Sequence, residues 1–209
     1  MANNRDLRKR ILNGEETSPN EYPWVAKLVD NGGSCGASLI TDRHVITNAH
    51  CTRSRPVDQM RIVLGLHNNC HTISDCQAKG ENVVTISNLK EHEDWLEFNN
   101  DKDFNKEIDI AILTLTNPVQ FSDKIRPICL PFGTDSYQDS TAILAGWGLI
   151  GPNKSPNKLM EARMVISRSC SGHHPTQTRH ICYKNNNPYR VGCSGDSGSP
   201  VFLKENERL

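Results

Sequence analysis

Eight short segments rich in apolar and β-branched residues recur along the chain between turn signals: "PWVAKLV" (23–29), "GASLI" (36–40), "HVITNA" (44–49), "QMRIVLGL" (59–66), "ENVVTISNL" (81–89), "IDIAILTL" (108–115), "TAILAGWG" (141–148) and "KLMEARMVIS" (158–167). Segments of this length bounded by Gly, Pro, Asn and Ser specify strands. No long amphipathic helical pattern interrupts them, so the expected class is all-β, built from barrels or sandwiches. The 209 residues suffice for one large or two small domains with real cores. Basic and acidic residues balance at 24 each, so no cationic surface is expected for nucleic acid. No apolar run approaches the length of a membrane span, and neither an internal repeat nor a low-complexity tract is present.

Against this background the stretch "VGCSGDSGSP" (191–200) is too glycine-rich for an ordinary strand. A serine hydroxyl is a weak nucleophile unless a base and an anion-binding pocket accompany it. Gly195 lacks a Cβ and tolerates a positive φ, so Gly195 and Ser197 can aim two backbone N–H groups at one point. The same residue types dominate ordinary surface turns, and on this stretch alone both readings stand.

A base for Ser197 would be a histidine elsewhere. "VITNAHC" (45–51) places His50 at the end of an apolar run beside Cys51. In "EIDIAILTL" (107–115), a predicted buried strand, Asp109 is the one charge among Ile108, Ile110, Ala111, Ile112 and Leu113. A buried carboxylate is costly unless paired. Taken singly, the histidine reads as an exposed or satisfied ring and the aspartate as a turn residue. Taken together with Ser197 they form the order His, Asp, Ser, one of the orders of a nucleophilic triad.

The blocks "TNAHC", "DIAIL", "AGWG" (145–148) and "GDSGSP" resemble, in order and separation, the "TAAHC", "DIAL", "GWG" and "GDSGGP" blocks of the trypsin/chymotrypsin family of serine proteases. The likeness runs from Ile11 nearly to the end. It implies two six-stranded antiparallel barrels of chymotrypsin type, the second incomplete, with the site in the cleft between them. Residues 1–10 would be a remnant of a pro-segment, 11–121 the first barrel, 122–131 the crossover "SDKIRPICLP", and 132–209 the second barrel. In the family's triad His50 is general base and then acid, Asp109 orients and stabilises the imidazolium, and Ser197 attacks the carbonyl, with Gly195 and Ser197 as the oxyanion hole.

Eight cysteines in so short a chain point to an oxidising compartment. The resemblance pairs Cys35 with Cys51, which would staple the loop carrying His50, and Cys170 with Cys182. Cys70 and Cys76 have no partner in the commonest family pattern, and a local bridge across an enlarged loop is expected. A zinc reading competes over "CSGHHPTQTRHIC" (170–182), although its ligand spacing is irregular. Cys129 and Cys193 are left over, and with the early stop at Leu209 they suggest a shortened copy of a longer secreted protein. "MANNRDLRKR" lacks the apolar core of a secretory signal.

"RKR" followed by "ILNG" (8–14) resembles the family's activation site. Cleavage after Arg10 would free the Ile11 amine to pair with Asp196 and set the oxyanion turn. Because an α-amino group titrates near pH ~8, that pair should weaken in alkali. At the pocket floor, where relatives cutting after Lys or Arg carry an aspartate, this chain has Val191 followed by Gly192. A valine offers a buried cation no partner, so an apolar or aromatic side chain is expected there. Asn48 and Ser199 replace small family residues without removing a catalytic group. Leu66, Asn68 and "CHTISDC" break the acidic pattern of the family's calcium loop, so no calcium, other metal or cofactor is expected. "NKS" at Asn153 is a glycosylation acceptor pattern.

The expected function is thus an extracellular serine endopeptidase acting on proteins or peptides, made as a zymogen for an activating protease and open to protein inhibitors, with no nucleic-acid or membrane partner. The alternative is a catalytically impaired homologue that binds or regulates. A disulfide- or metal-stabilised module with accidental likeness is the third reading.

Overall fold

The computed structural model describes residues 14–30, 32–96, 108–131, 137–167, 181–184 and 194–204. Their strands run in chain order β1 (Glu15–Glu16), β2 (Val25–Val29), β3 (Ser34–Leu39), β4 (His44–Thr47), β5 (Arg61–Leu64), β6 (Asn82–Glu91), β7 (Ala111–Leu115), β8 (Thr141–Gly146), β9 (Met160–Ser167), β10 (Cys182–Lys184) and β11 (Val201–Phe202). Two short helices, α1 (Ile73–Ala78) and α2 (Glu93–Leu96), and two 3-10 turns complete them. The fold is all-β. Strands β2-β3-β4-β7-β6-β5 close into a six-stranded antiparallel barrel. A second, five-stranded sheet has the order β1-β9-β8-β11, with β10 also on β9.

Alternation decides which side chains fill which layer. On β2, Ala26 and Leu28 point into the barrel with Leu39, Met60, Ile62, Leu64, Leu113 and Leu115. Its other face sends Val25 and Val29 into a seam with Val63, Ile143, Ala145, Trp147 and Phe202. Each fully buried Leu or Ile contributes about 1.5–3 kcal/mol, so both layers hold strongly. On β9 the pattern is regular, with Met160, Ala162, Met164 and Ile166 buried and the intervening residues not. β11, four residues after Ser197, is fixed at the seam where the Phe202 ring meets Tyr22 at 4.8 Å and Trp24 at 5.1 Å, both edge-on.

Two details differ from the sequence expectation. β7 starts at Ala111, so Asp109 lies just before the strand, and Ile112 faces outward, 38% exposed. The barrel leaves the outer face of this strand partly open, whereas a fully buried strand would need cover on both sides. The enlarged loop also contains α1, whose Thr72 hydroxyl caps Asp75 N at 3.1 Å.

That loop joins the two sheets. Cys70 and Cys76 form the local disulfide. Asn69 donates its N–H to the Asn157 carbonyl and its Nδ2 to the Pro156 carbonyl, each at 2.8 Å. Removing both sulfurs, Cys70→Ala with Cys76→Ala, is expected to cost about 2 kcal/mol by the loop-closure argument. Urea unfolding of the two proteins measures it, and equal midpoints would refute it.

The loop also covers a buried lysine. Lys27 is 3% exposed on the seam face of β2, and its Nζ donates to Asn69 Oδ1 at 2.5 Å and the Cys70 carbonyl at 2.7 Å. Burial pulls its pKa from 10.5 down to about 8, with Lys79 pushing the same way and Asp75 against. Above pH ~8 the folded lysine is neutral while the unfolded one stays charged, so the unfolded state binds more protons. Stability should therefore rise with pH from about 8 to about 10, by up to about 3 kcal/mol. Urea midpoints across that range check the sign, with Lys27→Met expected to flatten the slope. A falling midpoint in the parent that Lys27→Met leaves unchanged would refute it.

Candidate active site

His50 lies in the 3-10 turn Ala49–Cys51 that ends β4. Ala49 is fully buried against Trp95 and Ala111, which locks this turn to the entry of β7. Across that contact the Asp109 carboxylate receives two bonds. The His50 backbone N–H donates to Oδ1 at 2.8 Å, and His50 Nδ1 lies 2.5 Å from Oδ2. A carboxylate only accepts, so Nδ1 carries the proton and, in the neutral ring, Nε2 keeps its lone pair. The ring is 39% exposed and the carboxylate 15%, which gives an open base on a sheltered support.

Asn48, expected from the sequence to be a mild departure, donates its Nδ2 to the Asp109 carbonyl at 2.7 Å. An amide next to the histidine, where family members carry alanine, was the available signal. Cys35 and Cys51 are disulfide-bonded, and Cys51 Sγ lies 3.6 Å from His50 Nε2, the ring nitrogen not engaged by Asp109. The Sγ atoms and a ring nitrogen gather within 4.8 Å, but both sulfurs are tied to each other rather than free as thiolates. A loop of this size is worth about 3 kcal/mol.

Ser197 arrives from the other side of the seam. Gly195 and Gly198 take φ of 96° and 78°, and Ser199 N donates to the Asp196 carbonyl at 2.9 Å. Positive φ at the third position of such a turn needs glycine. The turn is seated on the barrel, because Gly36 N donates to the Ser197 carbonyl at 2.7 Å. A Cβ at Gly198 would meet Thr47 Oγ1 at 2.2 Å and the Gly36 oxygen at 2.3 Å. Ser197 thus rests on the same β3–β4 edge that leads into His50. Among the described residues its hydroxyl has no hydrogen-bond partner, His50 included, and the N–H groups of Gly195 and Ser197 donate to nothing. Catalytic hydrogen bonds are often long before substrate binds.

Asp196 is 7% exposed and takes Gly148 N onto Oδ1 at 2.8 Å. The "GWG" block provides the room: a Cβ at Gly146 or Gly148 would lie 2.3 Å or 2.2 Å from that carboxylate. Cys182 is disulfide-bonded and Cys129 is a free, exposed thiol. Arg10, Ile11, Val191, Gly192, Cys193 and Cys170 lie outside the described residues, as does most of the histidine-rich stretch 170–182.

A closed antiparallel barrel joined across a seam to a second sheet is the architecture of the chymotrypsin-like serine proteases. The family model "Trypsin" matches residues 11–208, and the chain belongs to that family. Over 217 residues it is 30% identical to the proclotting enzyme of Tachypleus tridentatus, covering 93% of this chain and 55% of that protein. It is 29% identical over 220 residues to the CLIP domain-containing serine protease B15 of Anopheles gambiae, covering 95% and 59%. The chain therefore spans little more than half the length of these relatives. Among solved structures it is similar to neuropsin, a serine protease of mouse brain, with a TM-score of 0.71, 25% identity, and 90% of this chain and 80% of that one covered.

Proposed function

We propose that the chain is an extracellular serine endopeptidase that cleaves proteins or peptides through an acyl-enzyme. The observation that supports the reading is the His50–Asp109 hydrogen bond, together with a glycine-flanked Ser197 whose carbonyl is held by Gly36, the residue next to Cys35. In the proposed cycle His50 Nε2 takes the Ser197 proton as Oγ bonds to the carbonyl carbon. The oxyanion is received by the N–H groups of Gly195 and Ser197. Nε2 then protonates the leaving amine as the C–N bond breaks, and water, deprotonated by the same ring, releases the acid. Asp109 holds the tautomer and balances the imidazolium.

The chain is made as a zymogen in this reading, and cleavage after Arg10 by an activating protease frees the Ile11 amine for Asp196. Val191 and Gly192 form the floor of a pocket for apolar or aromatic side chains, and protein inhibitors would occupy the same cleft. Residues 11–121 and 132–209 form the two halves, linked by 122–131.

The test is a fluorophosphonate probe applied after cleavage at Arg10. Labelling that is absent in Ser197→Ala and weak in the uncut chain supports the proposal. A folded, cleaved sample that takes no label would favour a binding homologue instead.

A further inference from the structure

The Ser199 hydroxyl is buried and has no hydrogen-bond partner. It stands where the family block "GDSGGP" has a glycine, so a residue with no polar side chain is accommodated at this place in relatives. Leaving a buried hydroxyl unsatisfied is costly, and a serine kept there calls for an acceptor in some state of the protein.

The surroundings narrow the choice. Ser199 sits in the seam between β3 and β8: a Cβ at Gly36 would meet its Oγ at 2.0 Å, and one at Gly146 would meet it at 2.8 Å. The Gly36 carbonyl already receives Thr47 Oγ1 at 2.8 Å. On the Gly146 side the neighbouring acceptor is Asp196 Oδ1, 2.3 Å from that same Cβ position. The two oxygens thus flank one point, and a change of one staggered rotamer is the scale of movement between contact and none. The Ser199 N–H already closes the turn onto the Asp196 carbonyl at 2.9 Å, so the side chain would add a second tie between the same two residues.

We propose that Ser199 is a positioning residue whose hydroxyl donates to the Asp196 carboxylate in the state that sets the 194–198 turn for catalysis. A carboxylate has about four lone-pair sites, so the bond from Gly148 and an amine can be kept alongside it. Charge-assisted bonds of this kind are roughly twice as strong as neutral ones. The proposal rests on the protease reading for its functional half, and its structural half stands separately.

The experiment uses the full chain, cleaved after Arg10, with Ser199→Ala and Ser199→Gly. The sign of the stability change is decisive. A hydroxyl without an acceptor would leave Ser199→Ala more stable than the parent, whereas a donor to Asp196 predicts a lower Tm and a folding constant about tenfold smaller. The loss should shrink to near zero in an Asp196→Ala background. With a peptide substrate kcat should fall about tenfold at unchanged KM. A rise in Tm for Ser199→Ala, or an undiminished loss without the carboxylate, overturns the assignment. Should Asp196→Ala not fold, the sign in Ser199→Ala alone decides. A chain that hydrolyses nothing would sink the protease reading while the Tm series still judged Ser199.

Discussion

Ser197→Ala is expected to lower kcat by about six orders of magnitude, the size of effect seen for the nucleophile of a serine protease of unrelated fold, while Tm stays at the parent value. The unchanged stability follows from local chemistry. The hydroxyl has no partner among the described residues, so its loss strands no donor or acceptor. The turn keeps its shape because the positive φ values belong to Gly195 and Gly198, and its seat on Gly36 is made by the Ser197 backbone carbonyl. Residual turnover would come from the paired N–H groups and from substrate binding alone. Single-turnover hydrolysis of a peptide ester by cleaved parent and variant measures the ratio. Comparable rates in the two would remove Ser197 from the chemistry.

Gly198→Ala is expected to cost at least about 3 kcal/mol and to abolish activity together with it. Alanine at φ of 78° pays about 1–2 kcal/mol for the left-handed conformation alone. Its Cβ would also press on Thr47 Oγ1 and on the Gly36 oxygen at 2.2 Å and 2.3 Å. The second of these is backbone in a closed barrel and cannot rotate away, so the turn must lift from β3. Lifting breaks the Gly36 bond to Ser197 and displaces the proposed nucleophile. Thermal unfolding and probe labelling read the two losses separately. A stable variant that labels like the parent would show that the turn is not seated in this way.

The strands were legible because alternation and turn residues are local. All eight apolar segments contain strands, and only their ends moved. The start of β7 moved because Asp109 binds across to His50 and Asn48 instead of continuing the ladder, a matter of tertiary partners rather than of local pattern. α1 has no sequence signal because its six residues, spanning Cys76, leave too few positions for helical periodicity to show. The His50–Asp109 contact was legible only through the ordered blocks, since 59 residues separate the pair. Burial of Lys27 is legible only in part: alternation puts it on the face of β2 that carries Val25 and Val29, but the loop that folds over it lies more than forty residues on.

The bond from Gly36 to the Ser197 carbonyl has a wider meaning. The serine lies in the chain between β10 and β11, two strands of the second sheet, yet its position is registered against a strand of the barrel. If the proposed hydrolysis holds, it gauges the fit between two halves, and a lesion that slides one across the other would silence it even with His50, Asp109 and Ser197 all in place.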